Sequence, residues 1–149
     1  MRLFTVTAQE EAAKTIKQHV DDNTARYSMS EDEALKTAEA IGVAAVRYFD
    51  LAHPSDYVFS FDTVLSFRGN TSVYLQYAIS RLATLRTQAE QKNIQAGPVN
   101  ISNTIERELA LHIILFQEYV NRAVNELAPS VLCDYLLKVC CYRLCVLML

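Results

Sequence analysis

The chain has 149 residues, 51% hydrophobic and 21% charged, with three glycines, three prolines, no tryptophan and a formal net charge of −3. That length buries one core, and its apolar share excludes a disordered chain, while scarce glycine excludes collagen-like or Gly-rich linker character. Gly42, Gly69 and Gly97 form neither a G-x-G-x-x-G fingerprint nor a P-loop, and most all-β folds need more glycine in their turns, so a mainly helical domain is expected.

In chain order, Thr7-Ala8-Gln9-Glu10 has the form of a capping box, so a first helix is expected to about Val20, stopped by Asp21-Asp22-Asn23. Ser30-Glu31-Asp32-Glu33 repeats the device ahead of Leu35, Ala38, Ile41, Ala45 and Phe49, spaced as one helical stripe. Leu51 to Asp56 reads as a loop because Pro54 disfavours helix at its neighbour. Tyr57-Val58-Phe59-Ser60-Phe61 is extended and aromatic, short of a full strand. Asn70 or Thr71 can cap a long helix from about Ser72 to Asn93, which Gly97-Pro98 follows as a break. Ser102 or Asn103 caps another, whose apolar positions Ile105, Leu109, Ile113, Phe116, Val120 and Val124 form a stripe running to Pro129. Pro129 starts a last helix, from about Ser130 to the end. Short connections after residue 70 predict an antiparallel helical bundle, preceded by a helical connecting region.

The charge is uneven: residues 1–63 carry six basic and eleven acidic side chains, residues 64–149 eight basic and six acidic. A polyanion is therefore expected to prefer the second half. Cys133, Cys140, Cys141 and Cys145 crowd into the last 17 residues, unlike a disulfide framework, and fit a reducing, cytoplasmic setting as free thiols. Cys140, Cys141 and Cys145 lack the CxxC or His spacing of a zinc site, so no metal is expected. His19, His53 and His112 are isolated, and Asp21-Asp22 with Glu31-Asp32-Glu33 reads as helix-end charge. The N-terminus shows no signal-peptide or transit-peptide pattern, and CCYRLCVLML at the end is too short to span a bilayer of about 30 Å, so no membrane partner is expected.

On the long helix, Tyr74, Tyr77 and Arg81 stand at i, i+3 and i+7, within roughly 60° of one another at about 100° per residue. Two phenol rings and a guanidinium can stack unpaired bases and hold phosphate, as single-stranded RNA readers require. The same spacing also describes amphipathic core tyrosines with wet hydroxyls. Arg68, Arg86 and Lys92 share the segment with a single acidic residue, Glu90.

The segment GNTSVYLQYAISR, residues 69–81, closely resembles the Gly-Asn-Thr-x-x-Tyr-Leu-Gln-Tyr-Ala-x-x-Arg element of arginyl-tRNA synthetases. IGVAAVRYFDL (41–51) and DYVFSFDTVLSF (56–67) resemble that family's upstream elements, and ELALHIILF (108–116) and APSVLCDYLLKV (128–139) its anticodon-binding helices, named for an Asp-Ala-Leu-Arg motif. The charge change and the loop signals place a boundary near residues 62–70; the resemblance, which spans roughly residues 36–139, implies that residues 1–62 are a remnant of the catalytic region with connecting helices and residues 63–149 an anticodon-binding bundle truncated at its C-terminal end. It further implies arginine tRNA as partner, with Tyr74 and Tyr77 stacking on anticodon-loop bases, Arg81 holding phosphate or a base edge, and Gln76, on another side of the helix, a lesser contact. Asn70 is most economically a helix cap.

The family's His-Ile-Gly-His and Lys-Met-Ser-Lys-like motifs do not occur in this sequence. The resemblance therefore implies an arginine-tRNA ligase whose ATP site and catalytic domain lie outside this chain, so that the chain has no catalytic residue or cofactor of its own and is inactive alone. It also implies a cytoplasmic protein, or an organellar one, and no DNA partner. Ala44 stands for a family Gly, Ser60 for Asp and Val73 for Pro in many members; none removes an aromatic or basic group from the helix face. After Val139 the similarity stops, as it would in a truncated product or incomplete copy. The alternative is a helical protein-interaction module, or an inactive paralogue without RNA binding, favoured by the acidic total and the apolar C-terminal helix.

Overall fold

The computed structural model describes residues 10–17, 30–95 and 97–147, with side chains through Tyr142. Among these residues there are helices and no strand, as the all-α expectation requires. We label residues 10–17 α1, Glu31–Ala52 α2, Phe61–Val64 α3, Ser72–Gln91 α4, Thr104–Ile114 α5, Phe116–Asn125 α6 and Ser130–Leu147 α7. The Thr7 cap, the stop at Asp21-Asp22-Asn23 and His19 lie outside the described residues. The chain forms two compact units that divide between Val73 and Tyr74. The expected boundary at 62/63 marks a change in charge and loop signals rather than in compactness.

In the first unit, Ser30 opens α2 as predicted. Its hydroxyl accepts from the Glu33 amide at 3.3 Å, and its own amide donates to the Glu33 carboxylate at 3.1 Å. That carboxylate, held in its ionised form by the Ser30 hydroxyl and amide, titrates below the usual glutamate range. The buried face of α2 is Ala34, Ala38, Gly42, Ala45, Val46, Phe49 and Ala52, whereas Leu35 is exposed and Ile41 half-buried. The predicted stripe is therefore rotated, because α1 crosses at Gly42. A methyl there would meet the Ala13 nitrogen at 2.5 Å and the Ala12 carbonyl carbon at 2.8 Å. Small residues, not the largest apolar ones, line the contact. Ala12, Ala45, Val46, Phe49, Val64 and Val73 form the core, with Tyr57, Phe59 and Phe61 packed against it. Residues 57–60 of the aromatic run are neither helix nor strand, with Ser60 extended, while Phe61, expected to be extended as well, opens α3, a single turn absent from the sequence reading.

In the second unit, α4 ends at Gln91 on a Schellman turn, with Asn93 at φ 53° and the Ile94 amide donating to the Ala89 carbonyl at 2.9 Å. The helix thus ends close to the expected Asn93, which makes the turn itself, ahead of Gly97-Pro98. Asn103 caps α5 in a capping box with Glu106, whose carboxylate takes donors from Ser102 and Asn103 and titrates below the ordinary range for that reason. The single helix predicted from Asn103 to Pro129 is broken at Leu115 (φ −75°, ψ 0°) and ends at Asn125, with Leu127 in the left-handed region. The break moves the stripe as well. Ile113, Phe116 and Val124 are at least half exposed, while His112 and Ala123 are buried. α7 packs back along α5 and α6. His112 stacks on Tyr135 at 4.8 Å and 14° between planes, with Tyr119 at 5.2 Å and Tyr142 at 5.9 Å from its ring.

Candidate nucleic-acid interface

The candidate surface is α4. A helix carries its side chains at fixed angles, so the sequence dictates which groups share a face once the helix is wound. The hydroxyls of Ser80, Thr84 and Thr87 turn back on the helix and donate to the carbonyls of Tyr77, Ser80 and Ala83 at 2.9 to 3.1 Å. From Ile79 to Gln91 every residue is exposed except Leu82 and Ala89, which are half-buried. Such a helix half presents its polar groups to solvent instead of spending them in a core.

Two of the four sequence-predicted residues come together there. Tyr77 is 42% exposed. Arg81 Nη1 donates to its hydroxyl at 3.4 Å, and the guanidinium carbon lies 6.0 Å from the ring centroid. At an exposed site this cation–π contact contributes about 0.5–1 kcal/mol, enough to bias Arg81 toward the ring and make a joint planar and cationic surface. Arg81 has no ion-pair partner among the described residues. Arg86, by contrast, spends its charge on Glu90 at 2.9 Å.

Tyr74 behaves differently. Its ring is half-buried and its hydroxyl lies 3.8 Å from the Cys141 sulfur on α7. Spacing placed it beside Tyr77, and the helix does so in angle, but packing turns its polar end toward α7. Gln76 is half-buried on the flank.

The approach to α4 is built from blocks that the sequence singled out separately. Tyr48, on α2, donates to Asn70 Oδ1 at 2.7 Å, and the Thr71 hydroxyl donates to the Ser66 carbonyl at 2.6 Å. Gly69, at φ 83°, turns the chain between them in a conformation open to glycine at little cost. Asn70, expected as a cap, thus accepts from an upstream tyrosine. In the same unit, Tyr57 donates to Asp50, and burial first, then that carboxylate, push the Tyr57 phenol up to about 12.

Sequence reasoning missed the burial of His112, whose Nε2 has no hydrogen-bond partner among the described residues. A signal was present: His112 with Tyr119, and Tyr135 with Tyr142, are two seven-residue pairs on helices that face each other. His53 donates from Nδ1 to the Phe49 carbonyl at 2.9 Å and packs on that ring. Cys133 is buried, Cys140 half-buried and Cys141 exposed. Among the described residues no cluster of His, Cys, Asp or Glu could hold a metal ion, and no helix is long and apolar enough to cross a membrane.

Residues 75–141 match the family of the DALR anticodon binding domain. The arginine-tRNA ligase of Hahella chejuensis is 40% identical over 111 residues, covering 72% of this chain and 19% of that protein. That of Chlamydia felis is 40% identical over 134 residues, covering 87% and 23%. The chain thus spans about a fifth of the length of the curated relatives it matches. The crystal structure of arginyl-tRNA synthetase from Plasmodium falciparum aligns with 98% of this chain and 26% of its own, at a TM-score of 0.72 and 20% identity, a likeness of fold.

Proposed function

We propose, from the match of residues 75–141 to the DALR anticodon binding domain and the similarity of the chain to arginine-tRNA ligases, that it supplies anticodon-loop binding to arginine tRNA. The observation that carries the proposal is the position of the exposed Tyr77–Arg81 pair inside the matched residues 75–141. Tyr77 stacks on an unpaired base, and Arg81, biased toward the ring, holds the adjoining phosphate or a base edge. Tyr74 flanks the base from beside α7, and Gln76 offers its amide at the edge of the face. Amino-acid activation with ATP belongs to the remainder of such an enzyme. This chain binds tRNA in the cytoplasm without a cofactor of its own and does not aminoacylate alone.

Titrating arginine tRNA against the wild type, Tyr77→Ala and Arg81→Ala at two salt concentrations tests this. Loss of the stacking ring weakens binding by about 1–3 kcal/mol. Loss of Arg81 lowers the salt dependence by about one counterion. Equal affinities for all three proteins, or no binding by the wild type, would remove the assignment.

One observation favours the second reading, an interaction module. Leu111, Ile113, Ile114, Leu115 and Phe116 are all substantially exposed around the α5–α6 break. Concentration-dependent association abolished by Ile114→Asp, together with salt-independent behaviour toward RNA, would favour it.

A further inference from the structure

The start of α4 is tied down in a way that RNA stacking alone does not require. Tyr48 donates to Asn70 Oδ1 at 2.7 Å across 22 residues of sequence, from one part-buried position to another. Immediately after it the Thr71 side chain, 3% exposed, donates to the Ser66 carbonyl, and the Thr71 amide bonds the Gly69 carbonyl at 3.0 Å. Ser72, the first residue of α4, is also buried. The first turn of any helix is its weakest, because its amides lack intrahelical partners. Tyr74 stands two residues inside that turn and Tyr77 one turn further on. If the turn unwinds, the angular relation that puts both rings on one side is lost first at Tyr74 and then at Tyr77.

We infer that Tyr48 and Asn70 form a positioning latch that keeps the first turn of α4 wound and thereby holds the tyrosines in their base-stacking register. The inference rests on the RNA-binding reading for its consequence and on hydrogen bonding alone for its mechanism. Tyr48 and Asn70 are positioning residues and touch no RNA.

The test uses the full chain and has two arms. In the first, amide exchange is followed in Tyr48→Phe, in Asn70→Leu, and in Asn70→Asp, which keeps an acceptor for the tyrosine hydroxyl. Faster exchange at residues 75–78, whose amides close the first turn, in the first two, wild-type exchange in the third, and unchanged protection in α5 to α7 support the latch. Wild-type exchange at residues 75–78 in Tyr48→Phe overturns it. In the second arm, arginine tRNA is titrated against Tyr48→Phe, Tyr77→Ala and the double variant. Loss of one neutral hydrogen bond predicts about two- to tenfold weaker binding for Tyr48→Phe. Because the latch acts through the stacking ring, the double variant should bind little worse than Tyr77→Ala alone, whereas additive losses overturn the positioning role. A wild type that binds no tRNA removes the RNA-binding reading and the latch's consequence for it, while the exchange arm still decides the latch itself.

Discussion

Gly42→Ala probes the close approach of α1 to α2. On a solvated helix this change would stabilise by about 1 kcal/mol through propensity. Here the new methyl would lie 2.5 Å from one backbone atom of α1 and 2.8 Å from two others, where ordinary contacts begin at 3.4 Å. None of these atoms is the flexible end of a side chain, so the helices must separate. Overpacking of this kind costs about 1–3 kcal/mol. If α1 lifts away, Ala12 and Ile16, 0% and 5% exposed, return to water. Re-exposing the isoleucine alone costs about 2 kcal/mol. With three backbone contacts this short the crowding lies in the upper part of that range, about 2–3 kcal/mol, and less the propensity gain it leaves a net loss of about 1–2 kcal/mol. With a urea slope of about 2 kcal/mol per molar, the unfolding midpoint followed by circular dichroism falls by about 0.5–1 M. Gly97→Ala, whose added methyl meets nothing within 4 Å, is the control and leaves the midpoint near that of the wild type. A Gly42→Ala protein as stable as the wild type, or more so, would refute the close crossing of α1 over α2.

Leu127, 87% exposed at φ 51°, occupies a left-handed helix-end position without burying its side chain. Leu127→Gly should therefore raise thermal stability by about 1 kcal/mol, and a loss would contradict this account of the turn. His112→Phe keeps a flat ring on Tyr135 and removes the unpartnered Nε2. A gain of about 1 kcal/mol in denaturant unfolding is expected, and a large loss would show that the nitrogen is needed. The Tyr57 phenol is raised in the folded state from 10.0 to about 12, so its contribution is intact below pH 10 and is lost as pH rises from 10 toward 12. Tyr57→Phe should flatten the fall in melting temperature across that window, and an unchanged alkaline slope would count against the Tyr57–Asp50 contact.

The helical class and most helix starts were legible because they depend on local chemistry. Ser30 with Glu33 states a helix start in four letters, and Asn103 with Glu106 does the same. What the sequence hid depends on partners distant along the chain. The buried stripe of α2 was misjudged because hydrophobicity ranks Leu35 above Gly42, whereas the α1 backbone selects for the absence of a side chain. The break at Leu115 has no proline or glycine to announce it. With it, a histidine entered the core in place of Ile113 and Phe116. At the candidate interface, spacing correctly put Tyr77 beside Arg81, since an interval of four residues on a helix fixes proximity. The same rule could not tell that the Tyr74 hydroxyl turns toward Cys141, 67 residues away. Tyr48 and Asn70 each lie inside a family-like block, but only the folded chain brings the Tyr48 hydroxyl to Asn70 Oδ1.

The central claim is that α4 reads the unpaired loop of arginine tRNA through Tyr77 and Arg81. The most direct measurement compares binding of the chain to two RNA hairpins of equal length, the anticodon stem-loop of arginine tRNA and its acceptor-stem minihelix. The account predicts salt-sensitive binding to the anticodon stem-loop, weak binding to the minihelix, and loss of most of that preference in Tyr77→Ala. Equal binding to both hairpins, or a preference that survives the loss of Tyr77, would contradict it.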